Sequence, residues 1–307
     1  MSYIRTYGHE DEEGNWVRPV PKPDDEFTYQ WNAEWANDPT KPILKITKSS
    51  LGSFKWCKKQ YEFSYCDRRP QDQTEAMYKG TVLHDSYEAF YNDMDIKKAE
   101  NMTFFELKDY FNSLFPIDDY TDLSETIATF EAQRFVDSRD AGTLQQFVPV
   151  GNELQLDAQI MVGMNDNPKY PLNRNYVVHI QGIIDRIYQE SDFFIPFEFK
   201  TGVWKDSKKT MMRREMSFYK MLMDASPDWD GEVTHWGWYY PASNYVEVEK
   251  VNKRSEGAMK KAIAELLYAY ELDEFAPSYF HKKCVHCSFA GICPAAIDAN
   301  MNTGGWL

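Results

Sequence analysis

From residue 43 onward the chain changes rhythm twice. Ile43 to Thr47 reads as a short strand, and Ser49-Ser50 then caps a helix running through Cys57 toward Tyr65. Helical patterning follows over about 75–95, 103–115 and 120–139, with Phe130 and Phe135 among its apolar positions. The middle of the chain then shifts to strand periodicity. Tyr176 to Tyr188 is rich in β-formers, Glu190-Ser191-Asp192 makes a turn, and Phe193 to Lys200 is a second strand, which together predict a hairpin. A strand near 153–162 joins it. Met211 to Asp224 is a strongly helical stretch, Glu232–Tyr240 and Tyr245–Val251 alternate as strands, and Ser255 to Leu272 is helical again. The sum is an α/β architecture, a sheet flanked by helices with a helical insertion. Residues 1–42 lack any period and carry Glu10-Asp11-Glu12-Glu13, three prolines (Pro19, Pro21, Pro23) and Asp24-Asp25-Glu26. They read as an extension, disordered or loosely docked, ahead of a single domain over 43–307.

Composition narrows the picture. A chain of 307 residues with 43% hydrophobic content can bury a substantial core. The net charge of −14 argues against bulk electrostatic coating of nucleic acid, but not against an enzyme in which only one channel is basic. There is no apolar run near the length of about 18 residues that a membrane span needs, and the first residues do not read as a signal peptide. Five cysteines without such a signal point to a reducing, cytoplasmic setting, where clustered thiols bind metal rather than pair.

The densest chemistry lies at the end of the hairpin. Glu198 and Lys200 are two apart on one strand and share a face, while Phe197 and Phe199 point to the core. Asp185, at the end of Gly182-Ile183-Ile184-Asp185 on the neighbouring strand, reaches the same spot. Two carboxylates and a lysine at one edge can hold Mg²⁺ or Mn²⁺, which take oxygen ligands, polarise a phosphoryl oxygen and activate water. Lys200 can stabilise developing negative charge. Acid-x-Lys also occurs at Asp95, Glu106 and Asp206, so the triplet alone is weak, and a solvated salt bridge at a strand end remains the alternative. His84, inside the second helix, is a candidate third metal ligand or a satisfied core histidine. Tyr219 lies one turn after Glu215 on the Met211–Asp224 helix, so the two share a face. Five basic residues, Lys205, Lys208, Lys209, Arg213 and Arg214, form a candidate phosphate-binding edge or a solvated helix start.

Near the C-terminus, Cys284-Val285-His286-Cys287 and Cys293 supply three close thiols, and Cys57 or Cys66 is the candidate fourth. Four thiolates suit a [4Fe–4S] cluster or a tetrahedral zinc, and His281 and His286 keep a mixed Cys/His zinc site open.

Taken in order, Ser49-Ser50-Leu51 with Cys57, Gly80-x3-His84, Gly182-x2-Asp185, Glu198-x-Lys200-Thr201-Gly202, Tyr219, and Cys284-x2-Cys287-x5-Cys293 resemble the RecB-like iron–sulfur nucleases of the PD-(D/E)XK superfamily, the CRISPR-associated exonucleases among them. The resemblance implies a restriction-endonuclease-like mixed sheet with a C-terminal iron–sulfur region. It implies His84, Asp185 and Glu198, with the Phe199 carbonyl, as ligands of Mg²⁺ or Mn²⁺, and Lys200 as the catalytic lysine, with Tyr219 in the catalytic set. It implies Cys57, Cys284, Cys287 and Cys293 as cluster ligands, leaving Cys66 free. The expected activity is exonucleolytic cleavage of DNA, from single-stranded ends, in repair or recombination. Trp204, Phe218 and Tyr219 are candidates for stacking on bases, with core packing the favoured reading for Phe218. The chain has no phosphate-binding Gly-x4-Gly-Lys-Ser/Thr, so a helicase or recombination partner would be a separate protein. Two departures stand out: Glu215 replaces the glutamine the family carries four residues before its tyrosine, and Lys58 follows Cys57 where a proline often stands. Glu215 keeps open an iron–sulfur adaptor that binds DNA ends without cutting, and a third reading is a zinc-stapled structural protein.

Overall fold

The computed structural model describes residues 7–19, 44–115, 119–252 and 254–303. They divide into two compact units, each discontinuous in sequence. The first comprises 1–72, 157–181 and 256–307, and the second 73–156 and 182–255. Two strands, β4 (Gly151–Val162) and β5 (Tyr176–Glu190), contribute residues to both.

In the first unit, β3 (Lys45–Thr47) pairs in parallel with the start of β5, Ile46 opposite Ile180. Helix α1 (Lys48–Trp56) follows at once. Its cap is Thr47 rather than the serine pair: Ser50 sits at the third helical position, its backbone N–H donates to the Thr47 hydroxyl, and its own hydroxyl accepts from the Thr47 N–H, which completes a capping box. The helix also stops earlier than the pattern suggests. Cys57 is extended, with φ −159° and ψ 119°, and breaks the run before a short helical turn, Lys58–Tyr61, and a π-type turn, Glu62–Cys66. Tyr61, fully buried, packs edge-on against Phe54 and stacks on Phe275. Helix α6 (Ser255–Leu272) gives this core Met259, Ile263, Leu266 and Leu267. Of the N-terminal extension, residues 1–6 and 20–42 lie outside the described residues. Within 7–19 β1 (His9–Glu10) and β2 (Trp16–Val17) form a small antiparallel hairpin. Arg18 reaches Glu62 at 2.6 Å and Asp67 at 2.7 Å, and the Trp16 indole N–H donates to the Asp67 carbonyl at 2.8 Å.

The second unit holds the predicted hairpin. The end of β5 pairs antiparallel with β6 (Phe193–Phe199), Arg186 opposite Phe197, across a turn in which Ser191 takes φ 54°. Beyond β6 come β8 (His235–Tyr240), parallel, and β9 (Tyr245–Lys250), antiparallel; β7 (Glu232–Val233) also runs parallel to β6. The sheet is therefore mixed, as expected of an α/β fold. Helices α2 (Glu75–Asp93), α3 (Phe104–Ser113) and α4 (Thr121–Asp140) form the helical insertion. Their apolar faces meet in an aromatic-rich core of Phe90, Phe111, Phe135 and Phe147, to which Phe199 and Tyr239 of the sheet belong. Helix α5 (Lys209–Ala225) brings Phe218, Tyr219 and Leu222 against Gly182 of β5. A Cβ at Gly182 would stand 3.1 Å from Leu222 Cδ2, so the missing side chain is what lets helix and strand approach.

Candidate metal centre

The chemistry of the second unit gathers where the end of β6 lies beside the interior of β5. Asp185 and Glu198 are buried carboxylates, 5% and 1% exposed, a costly placement without partners. Asp185 accepts a hydrogen bond from the Phe199 backbone N–H at 2.6 Å, which fixes it across the hairpin. Helix α2 directs His84 to the same place: Nδ1 lies 3.3 Å from Glu153 Oε1 and 3.8 Å from Asp185 Oδ1. One ligand atom each from His84, Glu153 and Asp185 lie within 4.8 Å of one another. Two carboxylates and one imidazole are a donor set for a hard divalent cation such as Mg²⁺ or Mn²⁺. Burial resists charge on His84, but the Glu153 hydrogen bond and the Asp185 and Glu153 carboxylates outweigh it and hold its pKa above the ordinary value.

Glu153 has no counterpart in the sequence reading. It sits near the start of β4 with φ 47°, a left-handed conformation unusual for a glutamate and costly in a strand. Strain at a residue that points a carboxylate into a cluster of titratable groups is what a functional position shows. Arg186 supports it: Nη1 donates to the Asp185 carbonyl at 2.6 Å and lies 3.3 Å from Glu153 Oε1.

Glu198 lies outside that set of three and faces Lys200, whose Nζ lies 2.5 Å from Glu198 Oε1 and 2.9 Å from Glu215 Oε2. Burial works against the Lys200 charge, but Glu198 first and Glu215 next raise its pKa, so the ammonium persists through the alkaline range. Glu215, the departure from the family glutamine, is thus a second counter-charge for the lysine. Tyr219 is fully buried and donates from its hydroxyl to the Ile183 carbonyl at 2.7 Å. Burial, then the Glu198 and Asp185 charges, push its pKa well above normal, and it stays a neutral phenol.

The basic stretch does not form one open edge. Arg213 makes two hydrogen bonds to Glu249, at 2.8 and 2.7 Å, Lys209 is paired with Glu247 and Glu249, and Lys208 donates to the Val203 carbonyl. Phe218 and Tyr219 are buried, which removes them as platforms for bases; Trp204 stacks on Tyr245 at 4.4 Å with ring planes 9° apart.

In the first unit, Cys57, Cys284, Cys287 and Cys293 line one small cavity of about 30 Å³ together with Phe63 and Phe289. The five cysteines do not form a single group. Cys66 is buried apart, its thiol 3.3 Å from the Tyr270 hydroxyl and pushed up to about 12 by burial. The Cys287 thiol is raised as well, by burial and by the neighbouring Cys57, Cys293 and Cys284. Among the described residues, no three cysteine sulfurs lie within 4.8 Å of one another.

A model of the PD-(D/E)XK nuclease superfamily matches residues 45–294. No curated protein matches the chain. Among solved structures, the crystal structure of SSO0001 is similar at 15% identity, over 86% of this chain and 92% of that one, with a TM-score of 0.38.

Proposed function

Because the chain belongs to the PD-(D/E)XK nuclease superfamily, a group of metal-dependent nucleases, we propose that it is a deoxyribonuclease acting from DNA ends, preferentially on single strands. The observation that carries this reading is the convergence of His84, Glu153 and Asp185 within 4.8 Å, beside a lysine clamped to a buried glutamate. A Mg²⁺ or Mn²⁺ ion bound there would polarise the scissile phosphate and acidify a water. His84, Glu153 and Asp185 would supply the ligand atoms, with Glu198 outside that set of three. Asp185 is held for this task by the Phe199 N–H. Lys200, held by Glu198 and Glu215, would place a positive charge beside the phosphate oxygens. Tyr219 anchors α5 to β5 through Ile183, which makes it a positioning residue rather than a catalytic one.

The four thiols that line one cavity support a [4Fe–4S] cluster held by Cys57, Cys284, Cys287 and Cys293. A tetrahedral zinc with Zn–S bonds of about 2.3 Å would draw its sulfurs to roughly 3.8 Å from one another. Iron and zinc content of protein purified without oxygen distinguishes the two.

The test is digestion of end-labelled single-stranded DNA with Mg²⁺, with Mn²⁺ and with chelator, comparing wild type and Asp185→Asn. Metal-dependent shortening from an end that the substitution abolishes is expected. Equal degradation by both proteins would overturn the assignment, and binding without any cleavage would make the protein an adaptor.

A further inference from the structure

Lys200 is met by more negative charge than it needs. Its ammonium lies 2.5 Å from Glu198 Oε1 and 2.9 Å from Glu215 Oε2. One carboxylate neutralises one ammonium, and Glu198, on the same strand and 1% exposed, is enough to do so. Glu215 comes from α5 and leaves the trio with a net negative charge. Two cations of the same helix are engaged elsewhere: Lys209 is paired with Glu247 and Glu249, and Arg213 with Glu249. The field of Glu215 also reaches past the lysine. After burial, Glu198 and Asp185, it is a further cause of the raised pKa of the Tyr219 phenol.

Geometry limits how far this charge can stand from the chemistry. An ammonium has three N–H groups, and the two carboxylates engage two of them. A phosphate oxygen that accepts the third at about 2.8 Å must lie within about 6 Å of Glu215 Oε2, because Nζ is 2.9 Å from that atom. At that range, with an effective dielectric near 20, two like charges disfavour each other by a factor of about 100. Salt and the partial exposure of Glu215 reduce this to roughly tenfold. Hydrolysis of a phosphodiester builds negative charge on those oxygens in the transition state. Lys200 favours that charge, and Glu215 opposes it.

We propose that Glu215 is a brake on the reaction: its carboxylate cancels part of the stabilisation that Lys200 gives to the transition state. This rests on the nuclease reading of the same site and adds a restraint to it. Neutralising Glu215 should therefore make the protein faster, the reverse of what loss of a positioning contact does.

The experiment is single-turnover cleavage of an end-labelled single strand at saturating Mg²⁺, with affinity for the same strand read by fluorescence anisotropy in chelator. Glu215→Gln keeps the shape and removes the charge, and it should raise the cleavage rate by roughly tenfold. Glu215→Ala, a second neutral form, should also exceed wild type. Affinity in chelator should change by less than about threefold, because the strand is held through many phosphates and the gain belongs to the transition state. Glu215→Asp keeps the charge and should stay within about threefold of the wild-type rate. Glu232→Gln removes the same charge from an exposed position opposite Phe193, roughly 17 Å along β6 from Glu198 and beyond the Debye length, and should leave the rate unchanged. A Glu215→Gln rate equal to or below wild type would overturn the proposal. So would an equal gain in Glu215→Asp, which assigns the effect to side-chain length, or in Glu232→Gln, which assigns it to overall charge. A gain that disappears as Mg²⁺ is raised would move the effect to metal affinity, and loss of the fold in both neutral variants would make Glu215 a structural partner only; each overturns it too. No cleavage by wild type removes the nuclease reading and this proposal together, whereas wild-type cleavage without a gain in the neutral variants removes this proposal alone.

Discussion

Lys200 and Glu153 show how much the site depends on single side chains. The Lys200 ammonium is held between Glu198 and Glu215, so its removal leaves two buried or half-buried carboxylates facing each other. Lys200→Ala should lower DNA cleavage by about 100-fold or more while DNA binding, followed by fluorescence anisotropy, changes little. Glu153→Gln keeps the shape of the side chain and removes its charge. Affinity for Mn²⁺, measured by calorimetry, should fall by roughly tenfold. A wild-type affinity in that variant would exclude Glu153 from the metal set. Much of this neighbourhood is readable from the chain alone, because strand alternation puts Glu198 and Lys200 on one face and a hairpin turn brings Asp185 across. Glu153 is not readable. It belongs to another strand, its backbone is left-handed, and Gly151-Asn152-Glu153 carries no periodic signal. The contacts of Arg186 with Glu153 and the Asp185 carbonyl are invisible for the same reason: an arginine in a β-rich run says nothing about which groups its nitrogens meet.

At the scale of elements, the ties between α5 and β9 are the clearest surprise. The sequence suggests a basic edge at the start of α5, but β9 carries Glu247 and Glu249 on the face that meets it. Such pairing is tertiary and has no signature within either segment. The Arg213 hydrogen bonds, with those of Lys209, depress the Glu249 pKa to about 2. A carboxylate depressed in the folded state stabilises it above its unfolded pKa, and that stability is lost as pH falls toward the folded value. Glu249→Gln should therefore cost on the order of 1 kcal/mol at neutral pH. The difference in melting temperature from wild type should shrink as pH drops from about 4.5 toward 2. A gap that stays constant with pH would assign the loss to packing. The Thr103–Glu106 capping box of α3 gives a second handle, since Thr103→Ala should cost about 1 kcal/mol in thermal unfolding without touching cleavage. Element types and approximate bounds were largely legible because long periodic runs such as 255–272 leave little choice. The break at Cys57 was not, since nothing in Lys55-Trp56-Cys57-Lys58 stops a helix by propensity alone.

For the molecule as a whole, the thiol-lined cavity ties sequence-distant segments of the first unit together. Cys57 comes from its first segment and Cys284, Cys287 and Cys293 from its last. By analogy with a disulfide closing a long loop, a cluster bridging them is worth on the order of 5 kcal/mol. Protein purified without oxygen should carry iron, and extracting that iron should lower the melting temperature. Cys57→Ser should lose the iron, whereas Cys66→Ser, outside the cavity, should retain it; equal retention by both would remove Cys57 from the ligand set. No helix among the described residues is long and apolar enough to cross a membrane. The order of segments carries one more implication. Each unit is built from pieces separated along the chain, and the first one ends with 256–307. On the proposed cluster, then, the thiol at position 57 would wait during synthesis, unliganded, until residues 284–293 have left the ribosome. The interval between its appearance and the arrival of its three companions would then be the period in which oxidation or a misplaced metal does the most harm.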